Sequence, residues 1–381
     1  MRVYFDNAAT TPVAPEVIDA MIPHLREQYG NPSSIHNEGR KARAVVESAR
    51  KTVADYLNAS LGEIFFTSGG TEAVNMILTG AVRDLGVRRI ITSPTEHHCV
   101  LYPAEALAAQ GIELVYLRVN GVGRVDYKQL EQLLQHDTPT LVSLMFGNNE
   151  IGTLLDFAKV SRICQEGGAY FHSDTVQGIG HFPIDVDACP VHFLSGSAHK
   201  FHGPKGVGFV YINGDVALQP MLRGGAQERN MRAGTENVAG VIGMATALER
   251  AIAEMKERRA HIEQLRTRMQ QGLREAIPGV EFLGDQQYYL YHVLSVSLPP
   301  SPRAELLIMN LDMAGIAASG GSACSSGAEH DSHVIQAIGV SPERGIVRFS
   351  FSHYNTLEEV EYTLARMASM FGVANQPVGS R

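Results

Sequence analysis

Apolar residues along the chain gather in short β-rich runs: Ile64 to Thr67, Arg89 to Thr92, Ile112 to Leu117, Thr140 to Phe146, Ala169 to His172, Val191 to Leu194 and Val207 to Ile212. Helix-like segments separate most of them. That rhythm predicts an α/β fold with a mainly parallel sheet and helices on both faces. Asp126, with Gln129 three residues later, opens the amphipathic stretch Tyr127 to Gln135 as a capping-box variant. From Val238, Val241, Ile242, Ala245, Leu248, Ile252 and Met255 keep a helical spacing that Ile262, Leu265, Met269 and Leu273 continue. This predicts one long helix or two nearly collinear ones.

Beyond it the pattern changes. Strand-like Val293 to Leu298, a helix from about Arg303, strand-like Ile346 to Phe351 and a last helix opened by Thr356-x-x-Glu359 predict a compact α+β unit. The expected organisation is a large domain over residues 15–250 and a smaller one made of residues 1–14 and 251–381. Residues Ala374 to Arg381 are Gly/Pro/polar and read as a frayed tail.

Composition removes whole classes. With 381 residues, 44% hydrophobic and 19% charged, the chain can bury a large core, which excludes disordered and fibrous proteins. A net charge of −8 argues against a protein that coats nucleic acid or anionic membrane. No apolar run reaches the roughly 20 residues of a membrane span. An acid, Asp6, arrives before any signal-peptide core, so the expected location is cytoplasmic. Cys99, Cys164, Cys189 and Cys324 form no C-x-x-C pair, so any cysteine chemistry belongs to a single thiol. The near histidine pairs, His97-His98 and His199 with His202, lack the i, i+4 spacing of a helical zinc site, and no metal is expected.

Four local features carry chemistry. Phe65 to Glu72 ends a strand in Thr67-Ser68-Gly69-Gly70-Thr71 and begins a helix, which is either an ordinary turn or an anion cradle of exposed amides and hydroxyls. Asp174 and Lys200 follow two further strands, where a parallel sheet binds its ligands. They could form a structural ion pair, or serve a pyridinium nitrogen and a Schiff base. Residues 317–328 are twelve consecutive small residues with one reactive atom, the Cys324 thiol, and the run is expected to be mobile. His97 leaves a strand where a histidine can stack on an aromatic cofactor and shuttle protons, or simply face solvent.

Taken in order, the motifs resemble a cysteine desulfurase of the class-V aminotransferase-like family, pyridoxal phosphate fold type I, in the branch with the long cysteine loop. The resemblance runs from Tyr4-Phe5-Asp6-Asn7-Ala8-Ala9-Thr10-Thr11 through Gly30-Asn31-Pro32-Ser33-Ser34, Thr67 to Glu72, Asn148-Asn149-Glu150-Ile151-Gly152 and Asp174-x-x-Gln177. It continues through Ser197-x-His199-Lys200, Gly203-Pro204-Lys205-Gly206, Arg232-x-Gly234-Thr235, Ser322-Ala323-Cys324 and Val347-Arg348-Phe349-Ser350.

The resemblance implies pyridoxal 5'-phosphate as cofactor, with Lys200 as Schiff-base lysine, Asp174 on the pyridine nitrogen, Gln177 on the phenolic oxygen and His97 stacked on the ring. Gly70, Thr71, Ser197 and His199 match the phosphate site, and Thr235 matches a ligand lent by the second subunit of a homodimer. Asn149 and Arg348 match the substrate groups, and Cys324 would carry sulfur from L-cysteine as a persulfide to an acceptor protein: an iron–sulfur scaffold, a sulfur carrier or a thiolation enzyme. His98 and Cys99 stand where the family commonly has a basic residue and its neighbour, and the chain shows no longer C-terminal extension of the kind that meets a scaffold. A class-V transaminase or selenocysteine lyase would share the cofactor residues, but a transaminase needs no thiol on a small-residue run. A non-catalytic subunit would not need lysine, acid and cysteine together.

Overall fold

A computed structural model describes residues 1–301, 306–320 and 332–371. Its centre is a seven-stranded sheet flanked by helices. In chain order the elements are β1 (Val3–Tyr4), α1 (Pro15–Arg26), α2 (Asn37–Leu57), β2 (Ile64–Thr67), α3 (Gly70–Asp84), β3 (Arg89–Thr92), α4 (His98–Ala108), β4 (Glu113–Tyr116) and α5 (Tyr127–Leu133). Then come β5 (Thr140–Ser143), α6 (Phe157–Glu166), β6 (Tyr170–Asp174), β7 (Phe193–Ser197), β8 (Gly208–Ile212), α7 (Val238–Ala253) and α8 (Met255–Ala276). The chain continues with β9 (Glu281–Phe282), β10 (Val293–Leu298), α9 (Leu307–Met313), β11 (Ile316–Ala317), α10 (His333–Ala337), β12 (Gly345–Ser350) and α11 (Leu357–Phe371).

The central order is β2-β8-β7-β6-β5-β3-β4, parallel from β7 to β4, with β8 antiparallel to both neighbours. Its strands read as unbroken apolar runs because both faces are covered. Successive side chains point to opposite sides: Ile64, Phe66, Ile91, Val142, Leu194 and Phe209 join the core under α1, α2, α6 and α7. Phe65, Ile90, Leu141, Phe193 and Val210 join the core under α3 and α4. The edge strand β4 is only partly buried, and its Glu113 pairs with Arg89 at 2.8 Å.

A second core lies between α8, α11 and the sheet β12-β10-β9. Val3 and Phe5 enter this core, and β1 pairs in parallel with β11. The continuous helical spacing after Val238 is two helices that break at Glu254. Thr356 and Glu359 form the expected box, exchanging backbone N–H bonds of 2.9 and 3.2 Å. At Asp126 only half of the box forms. Its carboxylate accepts from Gln129 N, but Gln129 Oε1 turns to Arg118 N.

The small-residue run is pinned at its start, contrary to its expected mobility: Ala317 pairs with Tyr4, and Ser319 bridges to Arg348. Cys324 and residues 321–331 lie outside the described residues, as do 302–305, where the helix expected from Arg303 would begin, and the tail 372–381. Among the described residues no helix is long and apolar enough to cross a membrane.

Burial holds His172, His202 and His353 at pKa values of about 3, and His181 and His199 at about 4. Unfolding returns each to about 6.5. Between the two values the unfolded chain binds more protons, so these groups leave stability whole above pH 6.5 and remove it as pH falls toward 4. Melting temperature should therefore change little above about pH 7 and drop steeply between about pH 6.5 and 5. A flat profile in differential scanning calorimetry across that interval would contradict the buried neutral histidines.

Candidate active site

The residues expected to hold a cofactor stand at or just beyond the carboxyl ends of four strands of the central sheet, of which β6 and β7 are adjacent. β2 delivers Gly70 and Thr71, β3 leads to His97, β6 ends at Asp174 with Gln177 three residues on, and β7 ends at Ser197, followed by His199 and Lys200. In a parallel sheet these ends face one crevice.

One end of the crevice is bounded by two glycines. At Gly69, whose φ is +151°, an added Cβ would stand 3.5 Å from Ser197 Oγ, and at Gly70 one would meet Val176 Cγ2 at 2.8 Å. Ser197, Val176 and the first turn of α3 therefore converge on a space that glycine keeps open. The unbonded amides of that first turn and the helix dipole favour an anion there. Behind the turn, Ser68 N donates to Glu72 Oε2 (2.9 Å).

The other end holds a buried carboxylate. Asp174 Oδ1 accepts from Val176 N at 3.0 Å, and Oδ2 accepts from the Cys99 thiol at 3.6 Å. Burial, with Asp174 and Glu96 nearby, pushes the Cys99 thiol well above its usual range, so it remains a donor. His97 caps α4: its Nδ1 accepts from Cys99 N at 3.1 Å. Burial and Lys200 lower its pKa against the pull of Asp174, so the neutral ring carries its proton on Nε2. His98 stacks on Tyr102 at 4.7 Å and packs against His333.

Lys200 Nζ donates to Ala8 O (2.6 Å) and Ala9 O (2.7 Å), and Gln177 Nε2 also donates to Ala8 O (3.0 Å). Gln177 Oε1 faces His292 Nε2 at 3.1 Å. An amide oxygen only accepts, so His292 is protonated on Nε2, which fixes the Gln177 amide with its N–H groups turned away. His199, neutral through burial and the nearby lysines, lies 3.2 Å from Thr10 Oγ1.

Beside Asp6 and Asn149, Arg348 is 1% exposed. Its Nη1 donates to Asn149 O and its Nη2 to Asp6 Oδ1, both at 2.8 Å, while buried Nε has no partner among the described residues. Asn149 and Arg348 thus meet, and Nε is the spare donor a carboxylate could take. Thr235 is exposed, past an Arg232–Glu72 pair of 2.8 Å. The sequence reasoning missed Asp6 and His292 as positioning groups. Asp6 lay within a quoted motif, but no local pattern shows that either would meet Arg348 or Gln177, both more than a hundred residues away.

These groups fit pyridoxal phosphate: an anion cradle at one end, a buried carboxylate and a neutral imidazole at the other, and an amine between them. Residues 3–363 match the class-V aminotransferase family. The chain is 44% identical over 367 residues to the cysteine desulfurase IscS of Dictyoglomus turgidum, spanning 95% of this chain and 93% of that protein. A solved NifS-like protein superposes with a TM-score of 0.90 at 40% identity, covering 97% of this chain and 99% of that one. SspA, solved in complex with cysteine, superposes with a TM-score of 0.80 at 30% identity, covering 93% of this chain and 100% of that one.

One glycine ties the cradle to the sheet. A Cβ at Gly208 would lie 2.3 Å from Gly196 O and 2.7 Å from Gly69 Cα, both backbone atoms. Gly208→Ala should cost about 1–3 kcal/mol in urea unfolding and weaken cofactor retention in dialysis. Wild-type values in both would show that the cradle yields freely.

Proposed function

The chain belongs to the class-V aminotransferase family, and from that premise we propose how its residues carry out a cysteine desulfurase reaction. It is a pyridoxal-phosphate-dependent enzyme that converts L-cysteine to L-alanine. When bound, the cofactor supplies an electron sink for the pair released at the substrate α carbon.

Lys200 Nζ would hold the cofactor and, once released by substrate, take the α-proton. Asp174, whose carboxylate Val176 N orients, would pair with the ring nitrogen and favour its protonated form. Gln177, turned by His292, offers its N–H to the phenolic oxygen. Gly70, Thr71, Ser197 and His199 bind the phosphate. Arg348 takes the substrate carboxylate with Nε and one Nη, beside Asn149. His97 would lie beside the bound cofactor and, as a neutral imidazole with its proton on Nε2, could carry a proton there.

Cys324 Sγ, as thiolate, attacks the substrate sulfur. An S–S bond forms and the C–S bond breaks. The carbon keeps the electron pair and gains a proton, which yields alanine and a persulfide on Cys324. A sulfur-acceptor protein (an iron–sulfur scaffold, a carrier or a thiolation enzyme) then receives that sulfur. The active unit is a homodimer in which Thr235 completes the partner's phosphate site. The two domains divide at residues 15–250 against 1–14 with 251–381.

One observation supports this assignment above the others. The described residues on both sides of the run bearing Cys324 are tied to the substrate groups: Ser319 Oγ donates to Asp6 Oδ1, which also accepts from Arg348, and Ser332 Oγ donates to Glu150, next to Asn149. Cys324 is five residues beyond Ser319 in the sequence.

Lys200→Ala should abolish the yellow absorption and borohydride labelling of the purified protein and slow alanine formation by about 10²–10⁴-fold. Unchanged absorption would move the covalent role to another residue. Cys324→Ser should keep the cofactor and still show cysteine-dependent spectral changes, yet form no persulfide in thiol-trapping mass spectrometry. Sulfide and alanine produced at the wild-type rate would instead assign the enzyme a lyase reaction without a protein thiol.

A further inference from the structure

Three consecutive non-glycine residues, Glu228 (φ 45°), Arg229 (φ 55°) and Asn230 (φ 66°), adopt left-handed backbone. Side chains with a Cβ rarely occupy that region singly, and an asparagine tolerates it better than a glutamate or an arginine. A run of three persists only where its surroundings over-determine it.

The surroundings here are built from charge. Glu228 is buried, and its carboxylate accepts from Arg50 Nη1 (2.7 Å) and Nη2 (2.9 Å) and from Phe66 N (2.7 Å). Arg50 Nη1 donates in addition to Ile64 O at 2.7 Å, and its guanidinium lies 4.7 Å over the Phe66 ring. Ile64 and Phe66 belong to β2, the last strand on its side of the sheet. The Arg50–Glu228 pair therefore occupies a carbonyl and an amide that another strand would otherwise engage. It caps the sheet edge and fastens residues 227–230 to it.

Two further contacts carry that fixation forward. Arg229 donates to Leu61 O and to Glu47, and Gln227 Oε1 accepts from Gly234 N at 3.1 Å, closing the segment on itself. Arg232 pairs with Glu72, which also holds Ser68 N in the phosphate turn. Thr235 follows immediately and is exposed.

We propose that Glu228 is a positioning residue that acts in trans: it locks residues 227–235 into the left-handed turn that aims Thr235 at the phosphate cradle of the partner subunit. This rests on the reading of Thr235 as a ligand lent across a dimer. Because Glu228 also touches β2, which leads into its own cradle, the opposing possibility is an effect confined to its own site. The two make opposite predictions in a mixed dimer.

The test pairs a Lys200→Ala chain with a Glu228→Gln chain, differently tagged and purified as the mixed dimer. The only intact lysine then sits on the Glu228→Gln chain, while the Thr235 it receives comes from a chain whose Glu228 is intact. Apo protein is titrated with pyridoxal phosphate, and the yellow absorption reports binding at the site with the lysine. In the Glu228→Gln homodimer the affinity should fall about tenfold, the scale of one lost charge-assisted hydrogen bond. In the mixed dimer it should return to within about twofold of a control dimer of Lys200→Ala with wild type. Affinity that stays low in the mixed dimer, or is undiminished in the homodimer, overturns the proposal.

Thr235→Ala in the same format separates the two levels. Recovery with Thr235→Ala but not with Glu228→Gln sinks only the role of Glu228. No recovery with Thr235→Ala sinks the lending of Thr235, and the proposal with it. Glu228→Gln leaves Arg50 buried without its charge partner, and where that chain fails to fold, Glu228→Asp replaces it with the same outcomes. That variant keeps the charge and shortens the reach.

Discussion

Between Phe5 and Thr11 the backbone passes through the interior, where every amide and carbonyl must find a partner, and the partners it finds are the active site. Ala8 O and Ala9 O take the ammonium of Lys200, and Ala8 O also takes the amide of Gln177. Asp6 holds Arg348 and Ser319, while Ala8 N donates to Ser350 Oγ and Asn7 Nδ2 to Ser350 O. Further on, Thr11 bonds His199 O and accepts from His202 N. A single stretch of chain thus sets the distance between Lys200 and Gln177, the groups proposed to hold the cofactor, and Arg348, the arginine proposed for the substrate. Moving it would displace all of them together, which makes it the constraint on which the rest depends.

The histidines around the site follow the same economy. His181, His199 and His292 are kept neutral by burial, and His97 is lowered in the same direction. A neutral imidazole contributes one donor and one acceptor in fixed places and adds no charge to a low-dielectric interior. His292 uses its donor to orient Gln177, and His97 uses its acceptor to cap α4. Directional bonds thus position the groups around Asp174, Lys200 and Arg348 without adding charge beside them.

What the sequence disclosed follows from the same physics. β2, β3 and β10 begin and end where their strand-like runs do, because the flanks of each run turn polar or, after β10, to proline. The run from Thr140 overshoots: β5 ends at Ser143, and Leu144 to Phe146 remain buried while carrying the chain toward Asn148 and Asn149. Asp174, Lys200 and His97 were visible as strand-end residues of chemical type, since a parallel sheet gathers such ends by geometry alone. Thr235 and Arg348 have no such local mark and came from the resemblance. Glu228, Asp6 and His292 were illegible because their meaning lies in contacts made across 162, 342 and 115 positions of sequence.

The same separation bears on the proposed sulfur carrier, Cys324, which lies in a run of small residues in the sequence. A strand end holds a group to a fraction of an ångström, which suits a lysine and a carboxylate that serve one ring. A sulfur carrier must meet a substrate inside the crevice and an acceptor outside it, so fixation at one point would defeat it. Closing a longer run between fixed ends costs only about 0.6 kcal/mol for each doubling of its length. The anchors are the expensive part. Ser319 on Asp6 and Ser332 on Glu150 are part-buried and buried hydrogen bonds to carboxylates, and they return the run to the edge of the substrate site at both ends. The described bonds of the run thus lie at its two ends, where the chain meets Asp6 and Glu150.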